Sequence, residues 1–249
     1  MKTKIEYNKN NYTVDLLRPI DISIPLKADP KNPTAWYVPV PRFEPVMENG
    51  FIGDVNKGGA VNFRNIFFNP HGNGTHTECV GHISKEKHTI NQCLTEFFFL
   101  ANLISITPEH IENDKVVTLE QIKNAWKNNN AKAVVIRTLP NNSSKLSMQY
   151  SNTNPTFVDY KAIQFLIENG VEHLLIDTPS IDKEEDGGEL KSHHVFWEYP
   201  NNTQKQRTIT ELIFVPDRVE DGSYFLNIQI ASFENDASPS KPVLFEISA

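Results

Sequence analysis

Asn69-Pro70-His71-Gly72-Asn73-Gly74-Thr75-His76-Thr77-Glu78-Cys79-Val80-Gly81-His82-Ile83 is the stretch around which the rest of the chain is read. It holds three of the eight histidines, with Glu78 between the last two. In an extended segment side chains two apart share a face, which would point His76, Glu78 and His82 one way. Imidazole and carboxylate together suit a borderline divalent metal, zinc first and manganese second. Gly72 and Gly74 let the backbone bend, and without a bend His71 would face away from His76. The competing reading is plain: lone histidines occupy surfaces and cores, and a His-x-Glu triplet arises by chance. Three histidines and a carboxylate, spaced by glycines, are harder to obtain by accident.

The run Gly74-Thr75-His76-Thr77-Glu78 with His82 resembles the His-x-Gly-Thr-His-x-Asp-x-Pro-x-His signature of the cyclase-like metal-dependent hydrolase family, the kynurenine formamidase and isatin hydrolase type. Three positions depart from it. The family aspartate is Glu78, its proline is Val80, and its first histidine falls on Gly72, with His71 one place early. Three further segments, one before it and two after it, stand in the family's order. Asp21-Ile22-Ser23-Ile24-Pro25-Leu26 resembles the opening strand, although Asp21 by itself reads as part of a plain edge strand. Asp177-Thr178-Pro179-Ser180-Ile181-Asp182 resembles the Asp-x-x-Ser-Ile/Leu-Asp segment. A later histidine and an Ile-x-Glu-x-Leu-like strand match His193 and Glu211, with His194 left open beside His193.

The resemblance implies an α/β fold, a mostly antiparallel, barrel-like β core with a few outer helices. It implies a divalent metal held by His76, Glu78, His193 and Glu211, with His71 close by and its direct ligation left open. His82 takes the place of the family's general acid–base, the alternatives being a further ligand or a support for Glu78. The implied reaction is hydrolysis of an amide C–N bond in a small molecule, a formamide such as N-formylkynurenine or a cyclic amide. A cyclase or dehydratase chemistry, and a non-catalytic relative that binds metal or a small ligand, remain as alternatives. Homodimers or homotetramers are the implied assemblies.

Composition is that of a soluble globular protein. Of the 249 residues, 39% are hydrophobic and 22% charged, as in globular domains. A net charge of −7 without a long Lys/Arg cluster speaks against nucleic acid and anionic membrane as partners. No apolar run approaches the ~20 residues of a membrane span, and the start lacks a signal-peptide core. Two cysteines make no disulfide framework, so a cytoplasmic location is expected. Cys79, alternating with the candidate ligands, should pack behind the site. With no internal repeat or linker, residues 1–249 are assigned to one domain.

Elements can be placed coarsely. The prolines between Lys27 and Asn56 speak against regular structure, and Trp36, Tyr37, Phe43 and Phe51 either staple this loop to the core or line a binding site. Ala60–Phe68, Ala101–Ile106, Ala133–Thr138, His173–Asp177, Tyr224–Ile230 and Val243–Ile247 read as strands. Thr118–Asn128, opened by a Thr118/Gln121 capping box, and Phe157–Asn169, stopped by Gly170, read as helices, with Trp126 in the core. Arg137 should be satisfied by a neighbouring carboxylate. Asn235–Ser240 takes the place of the family's terminal turn bordering the active site.

Overall fold

Alternate residues of the Ala133–Thr138 strand enter two different hydrophobic cores. Val134 and Ile136 pack with Ile122, Ile163, Leu166 and Trp197. Ala133 and Val135 pack with Ala101, Leu103, Leu175 and Leu226. A strand covered on both faces has no polar side, hence the unbroken apolar run. The computed structural model describes residues 1–7, 9–127 and 130–248.

The centre of the main sheet is parallel. Phe98–Ile106, Ala133–Thr138, His173–Ile176 and Thr208–Glu211 lie side by side in chain order. Parallel neighbours need crossovers, and the helices Leu119–Ala125, Tyr160–Glu168 and Lys191–Trp197 provide them, all packing into one core. Antiparallel strands extend both edges. Gly222–Asn227, Val243–Ser248, Asn10–Asp15 and Lys2–Tyr7 follow beyond Phe98–Ile106, and His76–Glu78 and then Ala237–Pro239 beyond Thr208–Glu211. The fold is thus mixed α/β, mostly sheet and mostly antiparallel, with a few helices outside, as expected. Among the described residues the main sheet is traced as one open path, with Ile20–Asp21 paired beside it on Val243–Ser248, and three smaller sheets are separate from it.

The local signals explain most element ends. Thr118 Oγ1 accepts from Gln121 N, and Thr118 N donates to Gln121 Oε1, the reciprocal cap that starts Leu119–Ala125. That helix ends at Ala125; its expected last residue, Asn128, lies outside the described residues. The next helix starts at Tyr160 rather than Phe157, because Asp159 caps it and Phe157–Val158 pairs with Val116–Val117. Gly170, at φ +85°, follows its end. Ala60–Phe68 yields only a four-residue strand, Arg64–Phe67, paired with Arg42–Pro45 and exposed throughout. Arg137 is buried and meets Ser105, two backbone carbonyls and the Asp221 carboxylate. No helix among the described residues is long and apolar enough to cross a membrane.

His173 tests this core. Its Nδ1 lies 2.9 Å from Thr208 Oγ1, and its ring centroid lies 3.8 Å from that of Phe99. Burial, helped by Lys132, pushes its pKa down from 6.5 to about 3. The unfolded chain therefore binds a proton that the folded chain refuses. Stability is unaffected by this group above pH ~6.5 and falls between there and pH 3, by up to about 1.4 kcal/mol per pH unit. Denaturant melts of His173→Leu across that window should show a pH slope shallower by one proton.

Candidate active site

The strand His76–Glu78 places its two titratable side chains on one face and Thr77 on the other. Thr77 Oγ1 pairs with Thr210 Oγ1 at 2.8 Å on the far side. On the near side His76 lies directly opposite Glu211, and His76 Nε2 comes within 3.4 Å of Glu211 Oε2. Glu211 is the last residue of its parallel strand. The site thus lies at the carboxyl end of the parallel strands, where sheets of this kind leave a crevice.

The extended register ends at Glu78. Val80–His82 forms a 3₁₀ turn, so His82 reaches the same cluster by turning rather than by alternation. The turn packs tightly: a Cβ on Gly81 would lie 2.1 Å from the His88 carbonyl oxygen. Cys79 is fully buried behind the site, as expected.

His71 arrives through a compact loop. Asn73 N donates to the Asn69 carbonyl, Gly72 N to Asn69 Oδ1, and Asn69 N to Asn73 Oδ1. The two asparagines clasp the loop and absorb the extra residue between His71 and His76. His71 Nδ1 ends 3.0 Å from Glu78 Oε2, and its Nε2 lies 2.8 Å from Asp236 Oδ2.

His193 enters from the helix Lys191–Trp197, an element with no clear sequence signal. Asp182 accepts from the backbone N–H of both Ser192 and His193 and lies 2.6 Å from His193 Nδ1. That leaves His193 Nε2 facing Glu78 Oε1 at 3.2 Å. His194 turns away, with Nδ1 against the Tyr199 carbonyl.

Glu78 is therefore the hub. His71, His76, His82 and His193 all point a ring nitrogen at it, at 3.0, 4.0, 3.9 and 3.2 Å. Burial alone would raise its pKa, but His82, His193 and His71 overcome this and hold the carboxyl well below the ordinary range. The same attraction works in reverse. Burial disfavours the imidazolium of His71, yet Asp236 and Glu78 lift its pKa to about 10. Asp182 and Glu78 do the same for His193, against its burial, again to about 10.

His76 differs. Its Nδ1 lies 3.0 Å from the Gly74 carbonyl, which only accepts, so Nδ1 carries the proton. Its Nε2, fully buried, has no hydrogen-bond partner among the described residues, and neither does Glu78 Oε2. His71 Nδ1 is near enough to that oxygen for ion pairing but makes no hydrogen bond to it. Among the described residues, three sets could each hold a metal ion with ligand atoms within 4.8 Å of one another: His71, His76 and Glu78; His71, His82 and Asp236; Glu78, His82 and His193.

All six residues singled out from sequence, His71, His76, Glu78, His82, His193 and Glu211, are brought together. Two carboxylates of the cluster had no assigned role. Asp182 lay within a quoted segment, but nothing linked it to His193 eleven residues later. Asp236 lies 165 residues from His71, with no spacing signal to connect them. It lies within the Asn235–Ser240 turn expected to border the site, and His71 and His82 hold its carboxyl well below the usual range.

A cavity of about 330 Å³ opens over the cluster, lined by His71, His82, His193 and Glu211 below and by Trp36, Val38 and Leu190 around it. Trp36 and Tyr37 both adopt left-handed backbone, at φ +56° and +59°, a strained conformation for bulky residues.

Residues 20–183 match the model of the cyclase family ("Putative cyclase"). No curated protein sequence matches the chain. Solved structures share its fold. One is described as a potential metal-dependent hydrolase with cyclase activity, with a TM-score of 0.68 and 17% identity over 93% of this chain and 99% of that one. An isatin hydrolase bound to the product analogue thioisatinate gives a TM-score of 0.68 and 14% identity over 93% of each chain. Isatin hydrolase A from Labrenzia aggregata, bound to benzyl benzoate, gives 0.66 and 18% over 92% of this chain and 93% of that one.

The loop carrying His71 can be tested directly. A Cβ on Gly72 would lie 2.5 Å from Val38 Cγ2 and 2.9 Å from the Ala35 carbonyl oxygen. Gly72→Ala should cost about 1–3 kcal/mol in a denaturant melt, the usual penalty for overpacking.

Proposed function

Because the chain belongs to the cyclase family, we propose that it is a metal-dependent hydrolase that cleaves an amide C–N bond in a small molecule. The observation that carries this reading is His76 Nε2. It is a buried nitrogen lone pair without a partner, aimed at the carboxylates of Glu78 and Glu211. Lone pairs and negative charge converge there in a dry setting, which is costly unless a cation lies among them. The raised pKa values of His71 and His193 reflect the same demand for positive charge beside Glu78.

His71, His76, Glu78, His193 and Glu211 would hold the divalent ion, zinc first and manganese second. Asp182 and Asp236 support the set from behind, as carboxylates commonly do for metal-binding histidines. A bound ion would supply an acidified water and a polarised carbonyl at neutral pH.

The remaining work falls to the chain. His82 is the most exposed histidine of the cluster, 31% accessible at its side chain, and it lines the cavity. Asp236 Oδ2, 3.4 Å from His82 Nδ1, holds the ring. His82 takes a proton from the attacking water and delivers it to the leaving nitrogen as the carbonyl carbon gains the water oxygen and the C–N bond breaks. Trp36 and Val38 wall the cavity and restrict water. A formamide such as N-formylkynurenine, or a cyclic amide of the isatin kind, fits this chemistry and the cavity's size. The displaced His71 and the Glu78 exchange would favour a non-catalytic relative, but both side chains still reach the cluster. We extend the proposal to one domain over residues 1–249, and to a homodimer or homotetramer, which light scattering would measure.

Metal analysis and activity on N-formylkynurenine, isatin and simple amides, with and without chelator, form the test. His76→Ala should bind metal at least ~10-fold more weakly. His82→Ala should keep its metal and lose about 10²–10⁴ in turnover. Metal loss in His82→Ala would make His82 a ligand instead, and chelator-resistant turnover would overturn the reading.

A further inference from the structure

A second cavity, of about 320 Å³, opens at the carboxyl ends of Ala133–Thr138 and His173–Ile176. It contains none of the clustered histidines or glutamates. Leu139, Pro140, Met148 and Pro155 give it an apolar wall.

Two charges lie at its base, and both are spent. Lys145 Nζ donates to the Thr138 carbonyl, to Thr138 Oγ1 and to Asp177 Oδ2, at 2.6, 3.0 and 2.7 Å. Those are its three protons. Asp177 also accepts from Thr138 N and Thr138 Oγ1. The pair is internally satisfied and presents no net charge to a ligand.

Tyr150 is different. It lines the same cavity, is 95% buried, and its hydroxyl makes no hydrogen bond among the described residues. Burial and the Asp177 carboxylate raise its pKa, so the hydroxyl stays a proton donor. Lys115 and His110 also line the cavity, both at exposed positions, whereas its buried part offers the apolar wall and the Tyr150 hydroxyl, which suit a ligand with an apolar body and one acceptor.

We propose that this cavity is a second small-molecule site. It would take an uncharged molecule with an apolar body and a carbonyl-type oxygen that accepts from Tyr150 Oη. The site is independent of the reaction proposed above. It is also mechanically joined to the first cavity by the segment that carries Tyr150. Tyr150 N donates to the Thr34 carbonyl, Tyr37 N donates to Ser151 Oγ, and the Asn152 and Asn154 N–H groups donate to Glu184. Tyr150 and Met148 pack with Trp36. Trp36 and Glu184 line the cavity over the histidine cluster. A ligand against Tyr150 therefore presses on the segment that holds the rim of the other cavity.

Acetophenone is the probe, with an apolar ring and a single carbonyl. Soaked crystals should show it with its oxygen in hydrogen-bond reach of Tyr150 Oη. In solution, ligand-observed NMR should give a Kd that Tyr150→Phe weakens roughly 3- to 10-fold, the worth of one hydrogen bond. Ser144→Trp, which fills the cavity from an exposed position, should remove this binding. Benzoate should bind more weakly than acetophenone at Tyr150, because Lys145 is spent, Lys115 is exposed to solvent and Asp177 lies nearby. Density confined to the cavity over His71 and His82, or a Kd unchanged in both variants, would overturn the proposal. So would benzoate binding more tightly than acetophenone at Tyr150. Tyr150→Phe removes only an unpartnered hydroxyl, so it keeps the test decisive if Ser144→Trp fails to fold.

Discussion

A carboxylate buried without water is unstable unless positive charge reaches it, and Glu78 sets that requirement at the centre of this protein. Four histidines, from a loop, a strand, a 3₁₀ turn and a helix, turn a ring nitrogen toward it. Three of them have a brace on the outer nitrogen that keeps the inner one aimed. Gly74 provides it for His76, Asp182 for His193 and Asp236 for His71, whereas His82 meets Asp236 through the same Nδ1 that faces Glu78. The site is thus two concentric layers of charge and hydrogen bonding around one side chain, and the outer layer orders the inner.

The fold delivers these groups by register. Antiparallel pairing sets His76 opposite Glu211 on one side and Pro239 on the other. The same pairing places Ala237 beside Glu78, so that Asp236, one residue earlier, enters the cluster. The parallel strands bring the loop after His173–Ile176, with Asp182, to the same end of the sheet. The helices pack on the sheet face that Ile209 shares with Glu211; they are needed for these crossovers, and the last of them carries His193 to the cluster.

Strand interiors were legible because their chemistry is local. Ala133–Thr138 announces a doubly covered strand by composition alone, and Thr118 with Gln121 announces a helix start. The fold and the six site residues came largely from the ordered resemblance of four segments, since spacing would not have singled out His193 or Glu211. What stayed hidden depends on distant partners. The helix carrying His193 is short, begins at a left-handed Leu190 and has no side-chain cap, so nothing marks it in the sequence. Asp236 looks like any loop aspartate until the chain closes. The His71 offset read as a departure from the family pattern, yet a nitrogen's position depends on where the loop ends, and the Asn69–Asn73 clasp decides that.

The long reach of the His71–Asp236 contact has a consequence for how the protein acquires its site. One partner belongs to the first third of the chain and the other to the last few elements, with the whole parallel sheet folded between them. No fragment that lacks either partner contains the complete cluster. Anything that binds the finished cluster and not its separated parts therefore draws the entire chain toward the folded state by mass action. Ligation in such a protein acts as a clasp on the whole topology, and its loss would be felt as far away as the terminal strands.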